Sequence, residues 1–355
     1  MARAWREPCW PNGPDAVAAE FAWGLIGPGG IAHRFAEAVR HLPGARLHAV
    51  LGRNAARAVA FAETWSCDGV PTVRVAPTLD ALLDDPAVQA VYIATPHAQH
   101  GEFVRACLER GKPVLCEKPL VPTRAQLEPL LALSQQRQVF LMEAMWTRFL
   151  PLYETVRGWL DEGSIGTVRT IQSSFCFAGP YDPASRLYNP ALAGGALLDI
   201  GIYNLAMTRW VLERTAGTCP EPVSMRADGV LAPSGVDQRV AGTLVFPGGV
   251  VSQFVCAFDA VADNALRIVG ERGCIVVPRH FWEATDAVLQ RPGEPDVAVH
   301  APLLINGFEG EIEEAMRCFA EGRAQSPRMP HAESLALVRW MDELRVQLGV
   351  RYPFE

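Results

Sequence analysis

No uninterrupted apolar run in this 355-residue chain approaches membrane length. A stretch such as Ala90-Val91-Tyr92-Ile93-Ala94 is far short of the roughly 20 residues a spanning helix needs, so no transmembrane helix and no membrane partner are expected. The first twenty residues carry Arg3 and Arg6, but Pro8, Pro11, Gly13 and Pro14 stand where a signal peptide would need an apolar core, and no twin-arginine pair occurs. Residues 1–20 read as a loose leader outside the fold, and the cytoplasm is the expected location. Basic runs are missing too: net charge is −7 and the 32 Lys and Arg are scattered. Displacing counterions from phosphates takes a positive stripe, so nucleic acid is not an expected partner. The nine cysteines (Cys9, Cys67, Cys107, Cys116, Cys176, Cys219, Cys256, Cys274, Cys318) contain no Cys-x-x-Cys pair. Their odd number and wide scatter argue against a disulfide framework or a zinc site and for reduced, mostly buried thiols. Internal repeats and low-complexity segments are absent.

What is present is the mix of a folded protein, 49% hydrophobic and 20% charged, in a chain long enough for two domains. From residue 21 to about 142, short apolar runs (Phe21–Ile26, 46–51, 88–94, 113–116, 139–142) alternate with helical patterns (through His41, Ala55–Trp65, 97–110, 123–137). That alternation predicts a parallel sheet covered on both faces. After Trp146 the character changes. A helix near 149–162 precedes the alternating run 168–177, a loop rich in Pro, Gly and Tyr, and one helix over about 194–213. Extended runs follow at 223–231, 240–246, 250–258, 265–269 and 274–277, with turns at Pro247-Gly248-Gly249 and Glu271-Arg272-Gly273. Tight turns between strands predict a mainly antiparallel sheet. Helices near 307–322 and 332–348 close the chain. The fold class is α/β, divided into residues 21–145 and 146–355.

The first strand runs into Gly27-Pro28-Gly29-Gly30-Ile31-Ala32, and a helix follows. Gly27 suits a tight turn, Gly29 a close approach of backbone to pyrophosphate, and Ala32 close helix–strand packing. The helix N-terminus offers free N–H groups to phosphate. An ordinary strand-to-helix turn is the plain alternative. The second strand ends in Val50-Leu51-Gly52-Arg53-Asn54, lacking the carboxylate that would take ribose hydroxyls. Arg53 instead suits a 2′-phosphate, so NADP is expected rather than NAD; a solvated surface arginine is the other reading.

Two further places carry chemistry. Cys116-Glu117-Lys118-Pro119 ends a strand, on the side where ligands gather in open α/β sheets, which points Lys118 toward a cofactor. In Gly194-Gly195-Ala196-Leu197-Leu198-Asp199-Ile200-Gly201-Ile202-Tyr203, Asp199 and Tyr203 are four apart and share a helix face. A nearby lysine would lower the tyrosine pKa toward general acid/base use; a satisfied buried hydrogen bond is the alternative. His97 and His100, three apart in Thr95-Pro96-His97-Ala98-Gln99-His100, have no third ligand motif nearby. That loop is expected to touch nicotinamide or ribose, and no metal is expected.

Together these motifs resemble the glucose–fructose oxidoreductase/inositol dehydrogenase family over about residues 21–352. Met142-Glu143-Ala144-Met145-Trp146-Thr147-Arg148-Phe149 and the segment from Gly194 to Tyr203 look like its dimeric dihydrodiol dehydrogenase and NADP-dependent sugar dehydrogenase branches. The resemblance implies a Rossmann domain, then an α/β domain whose large open sheet forms the interface of a homodimer or a higher homo-oligomer. It implies a CH–OH dehydrogenase or reductase for a sugar-like or diol substrate, with Tyr203 as general acid/base and Lys118, of the Glu-Lys-Pro motif, assisting. Asp199 matches an aspartate that other branches place four residues before a catalytic histidine. Trp146 and Phe175 fall where aromatics line the substrate pocket. The loop 177–190 departs from the dihydrodiol enzymes. Two other functions share the fold: a sensor that binds NADP without turnover, and a lyase or hydrolase that uses nicotinamide transiently.

Overall fold

The computed structural model describes residues 21–66 and 72–355. The leader reading of residues 1–20, with Cys9 and Cys67, lies outside them. The first layer is built from β1 (Phe21–Ile26), α1 (Gly30–His41), β2 (Ala45–Leu51), α2 (Ala55–Trp65), β3 (Arg74–Val75), α3 (Leu79–Leu83), β4 (Ala90–Ile93), α4 (His97–Glu109), β5 (Val114–Glu117), α5 (Arg124–Arg137) and β6 (Leu141–Ala144). Its six strands are all parallel, in the order β3-β2-β1-β4-β5-β6. Every residue of β1, β4 and β5 is buried, as a sheet with helices on both faces requires. The strand order reverses between β1 and β4, the switch point at which such sheets open a ligand crevice. Phe35 and Tyr92 stack 3.8 Å apart beneath that crevice. β3 and α3, too short for a periodic signal, went unread in the sequence.

The second layer follows: α6 (Pro151–Asp161), β7 (Val168–Cys176), α7 (Ile202–Ala216), β8 (Ser224–Leu231), β9 (Asp237–Val245), β10 (Val251–Ala257), β11 (Leu266–Gly270), β12 (Cys274–Val277), β13 (Asp286–Gln290), β14 (Val297–His300), α8 (Glu309–Ala320) and α9 (His331–Leu348). The eight strands run β14-β13-β12-β11-β7-β10-β9-β8. Only the β7–β10 pair is parallel; the others are antiparallel, as predicted. β13 and β14 extend the sheet beyond what the sequence suggested, and the burial alternation along β9 and β10 leaves one sheet face open. All seven described cysteines are free thiols, five of them buried.

One expectation is corrected. The helix over 194–213 is not a single α-helix: Leu197–Gly201 forms a π-helical turn, and α7 begins only at Ile202. The stretch Pro190–Ala216 has the length and apolarity of a membrane span, contrary to the reading of short apolar runs, but 89% of its most apolar window is buried in this protein. Every residue from Ile202 to Leu212 is buried, the mark of a central core helix. Its polar side chains find partners inside: Asn204 donates to Ser173 Oγ (2.8 Å), Thr208 pairs with Ser252 (2.7 Å), and Arg209 forks onto Glu333 (2.9 and 3.0 Å), while Asn204 Oδ1 and Arg209 Nη1 are buried without a partner among the described residues.

The C-terminal segment returns to the first layer. Leu141 N–H donates to Ala324 O (3.0 Å), and the His331 ring bonds Leu141 O (2.9 Å). Arg34 of α1 donates to Asn306 O (3.0 and 2.6 Å) and pairs with Glu283 (3.1 Å).

Candidate active site at the carboxyl ends of the parallel strands

The glycine turn leaves β1 with Gly27 at φ +95°, and a Cβ there would lie 2.8 Å from the Ala94 carbonyl. Only glycine meets both demands. Around Gly29 the nearest atom to an added Cβ is 4.0 Å away, and around Gly30 there is none within 4 Å. The turn thus presents bare backbone to the crevice. α1 starts with no side-chain cap and no acidic residue in its first turn, so its N–H groups and partial positive charge remain available to an anion. Pro28 packs against Gly52, Ala32 is fully buried and Ile31 is exposed. Arg53 is exposed beyond β2, with no ion pair among the described residues. Thr95 Oγ1, at the end of β4, is buried without a hydrogen-bond partner among the described residues. An open glycine cradle, an uncapped helix start and an orphaned hydroxyl together fit a dinucleotide.

β5 ends in Glu117 and a cis Lys118–Pro119 peptide bond. Glu117 is buried and accepts the Tyr92 hydroxyl at 2.5 Å. Burial pushes its carboxyl above the ordinary value, while the Lys118 ammonium works the other way. Lys118 Nζ donates to Asp199 O (2.5 Å) and Asp199 Oδ1 (3.2 Å) and sits 4.9 Å from the centre of the Tyr203 ring. Burial opposes the Asp199 charge, but Lys118, Arg186 and His97 outweigh it and hold the carboxyl well below the usual range. The π-helical turn brings Asp199 to the lysine and leaves Tyr203 at the start of α7. Such turns inside helices concentrate at functional sites. Upstream, Gly195 takes φ +124° against the buried Asp237 carboxylate, which accepts Leu197 N–H at 2.6 Å. Tyr352 O–H donates to Gly194 O at 2.8 Å.

One expectation changes here. The Tyr203 pKa is not lowered: burial and the neighbouring Glu117 raise it well above the ordinary value, although the Lys118 ammonium lies 4.9 Å from the ring. His97 is buried beside Asp199: its Nδ1–H donates to Ala193 O (3.0 Å), and Nε2 lies 3.7 Å from Asp199 Oδ1; burial pushes it down to about 3, so it is a neutral imidazole. His100 is fully buried between Pro119 O (2.9 Å) and Thr95 O (2.8 Å), pinning two strand-end loops together. Pro96 caps α4.

Around Tyr203 the aromatics gather. Trp146 Nε1 donates to Tyr203 Oη at 3.0 Å, and no acceptor for the Tyr203 proton occurs among the described residues. Phe175 lies 5.6 Å from the Tyr203 ring and stacks on Trp282 at 3.4 Å. Arg34 covers Trp146 at 4.3 Å. Sequence reasoning missed Arg186, Trp282 and Glu311. Arg186 pairs with Asp199 Oδ1 at 2.9 Å. It is the only Lys or Arg between residues 170 and 208, a signal that was available. Glu311 is fully buried, with both carboxyl oxygens unpartnered among the described residues, and nothing in the pattern of α8 announced it.

This arrangement of glycine turn, strand-end lysine and aromatic-flanked tyrosine has known counterparts. Residues 21–145 match the model of the oxidoreductase family with an NAD-binding Rossmann fold, and residues 153–276 match the GFO/IDH/MocA C-terminal domain. The chain belongs to the GFO/IDH/MocA oxidoreductase family. It is similar to trans-1,2-dihydrobenzene-1,2-diol dehydrogenase of Danio rerio, 36% identical over 93% of this chain and 97% of that one, and to its Homo sapiens counterpart, 32% identical over 93% and 98%. Among solved structures, the aldose-aldose oxidoreductase from Caulobacter crescentus superposes with a TM-score of 0.81 at 26% identity, covering 93% of this chain and 98% of that one. A 3-ketoreductase from Actinomadura kijaniata, solved with NADP and TDP-benzene, gives the same score, identity and coverage. As a GFO/IDH/MocA member the chain is a dehydrogenase with a nucleotide-binding Rossmann domain.

Proposed function

We propose that this GFO/IDH/MocA protein is an NADP-dependent oxidoreductase interconverting a hydroxyl and a carbonyl, or a hemiacetal and a lactone, on a sugar, inositol or cyclic diol. When bound, the nicotinamide supplies or accepts the hydride. The reading is carried by the convergence of Lys118, Trp146 and Tyr203 beside the crevice. Tyr203 is the general acid/base. Its raised pKa keeps the phenol protonated, and its oxygen is already held by the Trp146 N–H. The O–H proton is therefore free for a substrate carbonyl oxygen in reduction. The phenolate left behind is stabilised by Trp146 and Lys118 and takes the hydroxyl proton when the reaction runs as oxidation. Asp199, kept ionised, anchors Lys118. Trp146, Phe175 and Trp282 offer an apolar wall to a ring.

Gly27, Pro28, Gly29, Gly30, Ile31, Ala32, Thr95 and Pro96 border the cofactor, with Glu117 and Lys118 at its nicotinamide end. Arg53, with no carboxylate at the end of β2, supports NADP over NAD. The names of the similar proteins, diol and aldose oxidoreductases among them, support the substrate class. The open face of the eight-stranded sheet suits a homodimer, and the cytoplasm remains the proposed location. The test follows nicotinamide absorbance against aldoses, inositols and a trans-dihydrodiol, with Tyr203→Phe beside the parent. Turnover is expected to fall by about 10²–10⁴ with NADPH affinity retained; full residual turnover would remove Tyr203 from the mechanism.

A further inference from the structure

Arg186 has no part in the reaction as written above, yet it reaches into the site from the loop between β7 and the π-helical turn. Its side chain is 55% exposed, and Nη1 ends 2.9 Å from Asp199 Oδ1. The same carboxyl oxygen takes Lys118 Nζ at 3.2 Å. Two cations therefore share one anion. The other groups facing this cluster add little that offsets it. His97 of α4 is neutral, pushed down to about 3 by burial. Glu311 of α8 is fully buried and held well above the carboxylate range by burial and by its neighbours Glu117 and Glu309. Glu117, at the end of β5, is raised by burial, and Lys118 lowers it. Tyr203, on the same helical segment as Asp199, is the group that must ionise. Whatever charge Glu117 carries, removing Arg186 makes the surroundings of Tyr203 more negative by one unit. Asp199 would then match Lys118 one for one.

We propose that Arg186 is a positioning residue for proton transfer: by sharing Asp199 with Lys118, it leaves the positive charge of Lys118 free to stabilise the Tyr203 phenolate. The proposal rests on the Tyr203–Lys118 reading given above. It also accounts for the one cation between residues 177 and 196 being aimed inward at a buried carboxylate. One unit of charge a few Å from a titrating group moves its pKa by about one unit or more.

The experiment is the rate of the first turnover, in the oxidation direction, as a function of pH. Oxidation needs the phenolate, so losing Arg186 raises the pH at which the rate climbs. Arg186→Gln is expected to move that limb up by about one pH unit, with activity regained at higher pH. Arg186→Lys is expected to bring it back toward the parent. NADP affinity and thermal midpoint are the controls, since the side chain is more than half exposed. An unmoved limb in Arg186→Gln overturns the proposal, including the case where only KM rises and Arg186 is a substrate contact. The two readings fail separately. If Tyr203→Phe keeps full turnover, the acid/base assignment falls and this inference with it. If Tyr203→Phe is inactive and the Arg186→Gln limb stays put, this inference alone falls.

Discussion

Arg53 and Lys118 are both cations at the carboxyl end of a parallel strand, and their surroundings give them different work. Lys118 is largely buried and bonded to Asp199; Arg53 is exposed, and its fork of donors is open to a phosphate. Replacing Arg53 with Ala removes one exposed charge-assisted contact, which at about 1.4 kcal/mol corresponds to roughly a tenfold rise in Kd. That rise is expected for NADP and not for NAD, read by protein fluorescence titration. An equal change for both would remove Arg53 from 2′-phosphate recognition. At this scale the sequence was partly legible. Gly27, Lys118, Asp199 and Tyr203 sit at motif positions, and the last three come together. The orientation of His97 and His100 was not readable, because it depends on the carbonyls of Ala193, Pro119 and Thr95, and the first of these is supplied from about a hundred residues away.

Among the elements, the segment from Gly194 to Ala216 concentrates the most constraint. Its start is fixed by Asp237, a fully buried carboxyl with one oxygen on Leu197 N–H and the other unpartnered among the described residues. Burial raises it to about 7, although the Leu197 N–H pulls the other way. A raised carboxyl holds its proton more tightly in the folded state than in the unfolded chain. Its stabilising contribution is therefore complete below about pH 4 and is lost as pH rises through 7, by up to about 1.4 kcal/mol per pH unit. Asp237→Asn has no proton to lose there, so its stability is expected to fall less steeply between pH 4 and 7 in urea denaturation; an unchanged slope would mean that Asp237 does not titrate in this range. The sequence predicted a helix here but not its π-helical turn, since local propensity cannot register one extra residue per turn. The strands were easier: buried β1, β4 and β5 read as apolar runs, whereas β13, buried only at alternate residues, and β14, with no buried residue, did not.

For the molecule as a whole, the chain's order does not divide it in space. The segment after β14 comes last but returns to the parallel-sheet layer, through Ala324 and His331 on β6 and Asn306 on Arg34. The two layers are thus tied at β6 and at α1, and heating is expected to give one unfolding transition rather than two. NADP at a hundred times its Kd is expected to stabilise the fold by about 2.7 kcal/mol, moving that transition as a unit in scanning calorimetry. Two transitions, only one of them shifted by NADP, would show that the layers unfold independently. Fold class was legible because alternating and continuous apolar runs report sheet type directly. The return of the C-terminal helices was not, because no local pattern encodes which distant surface a helix will cover.

The π-helical turn at Leu197–Gly201 also sets a rule for insertions and deletions. Each residue advances an α-helix by about 100°, so deleting one residue between Gly195 and Ile202 would let the segment relax into regular α-helical hydrogen bonding. The same deletion would swing Tyr203 away from Trp146 and part Asp199 from Lys118. A shortened lineage would inherit a tidier helix and a silent catalyst, so the residue count of this stretch, as much as its composition, is what selection has to guard.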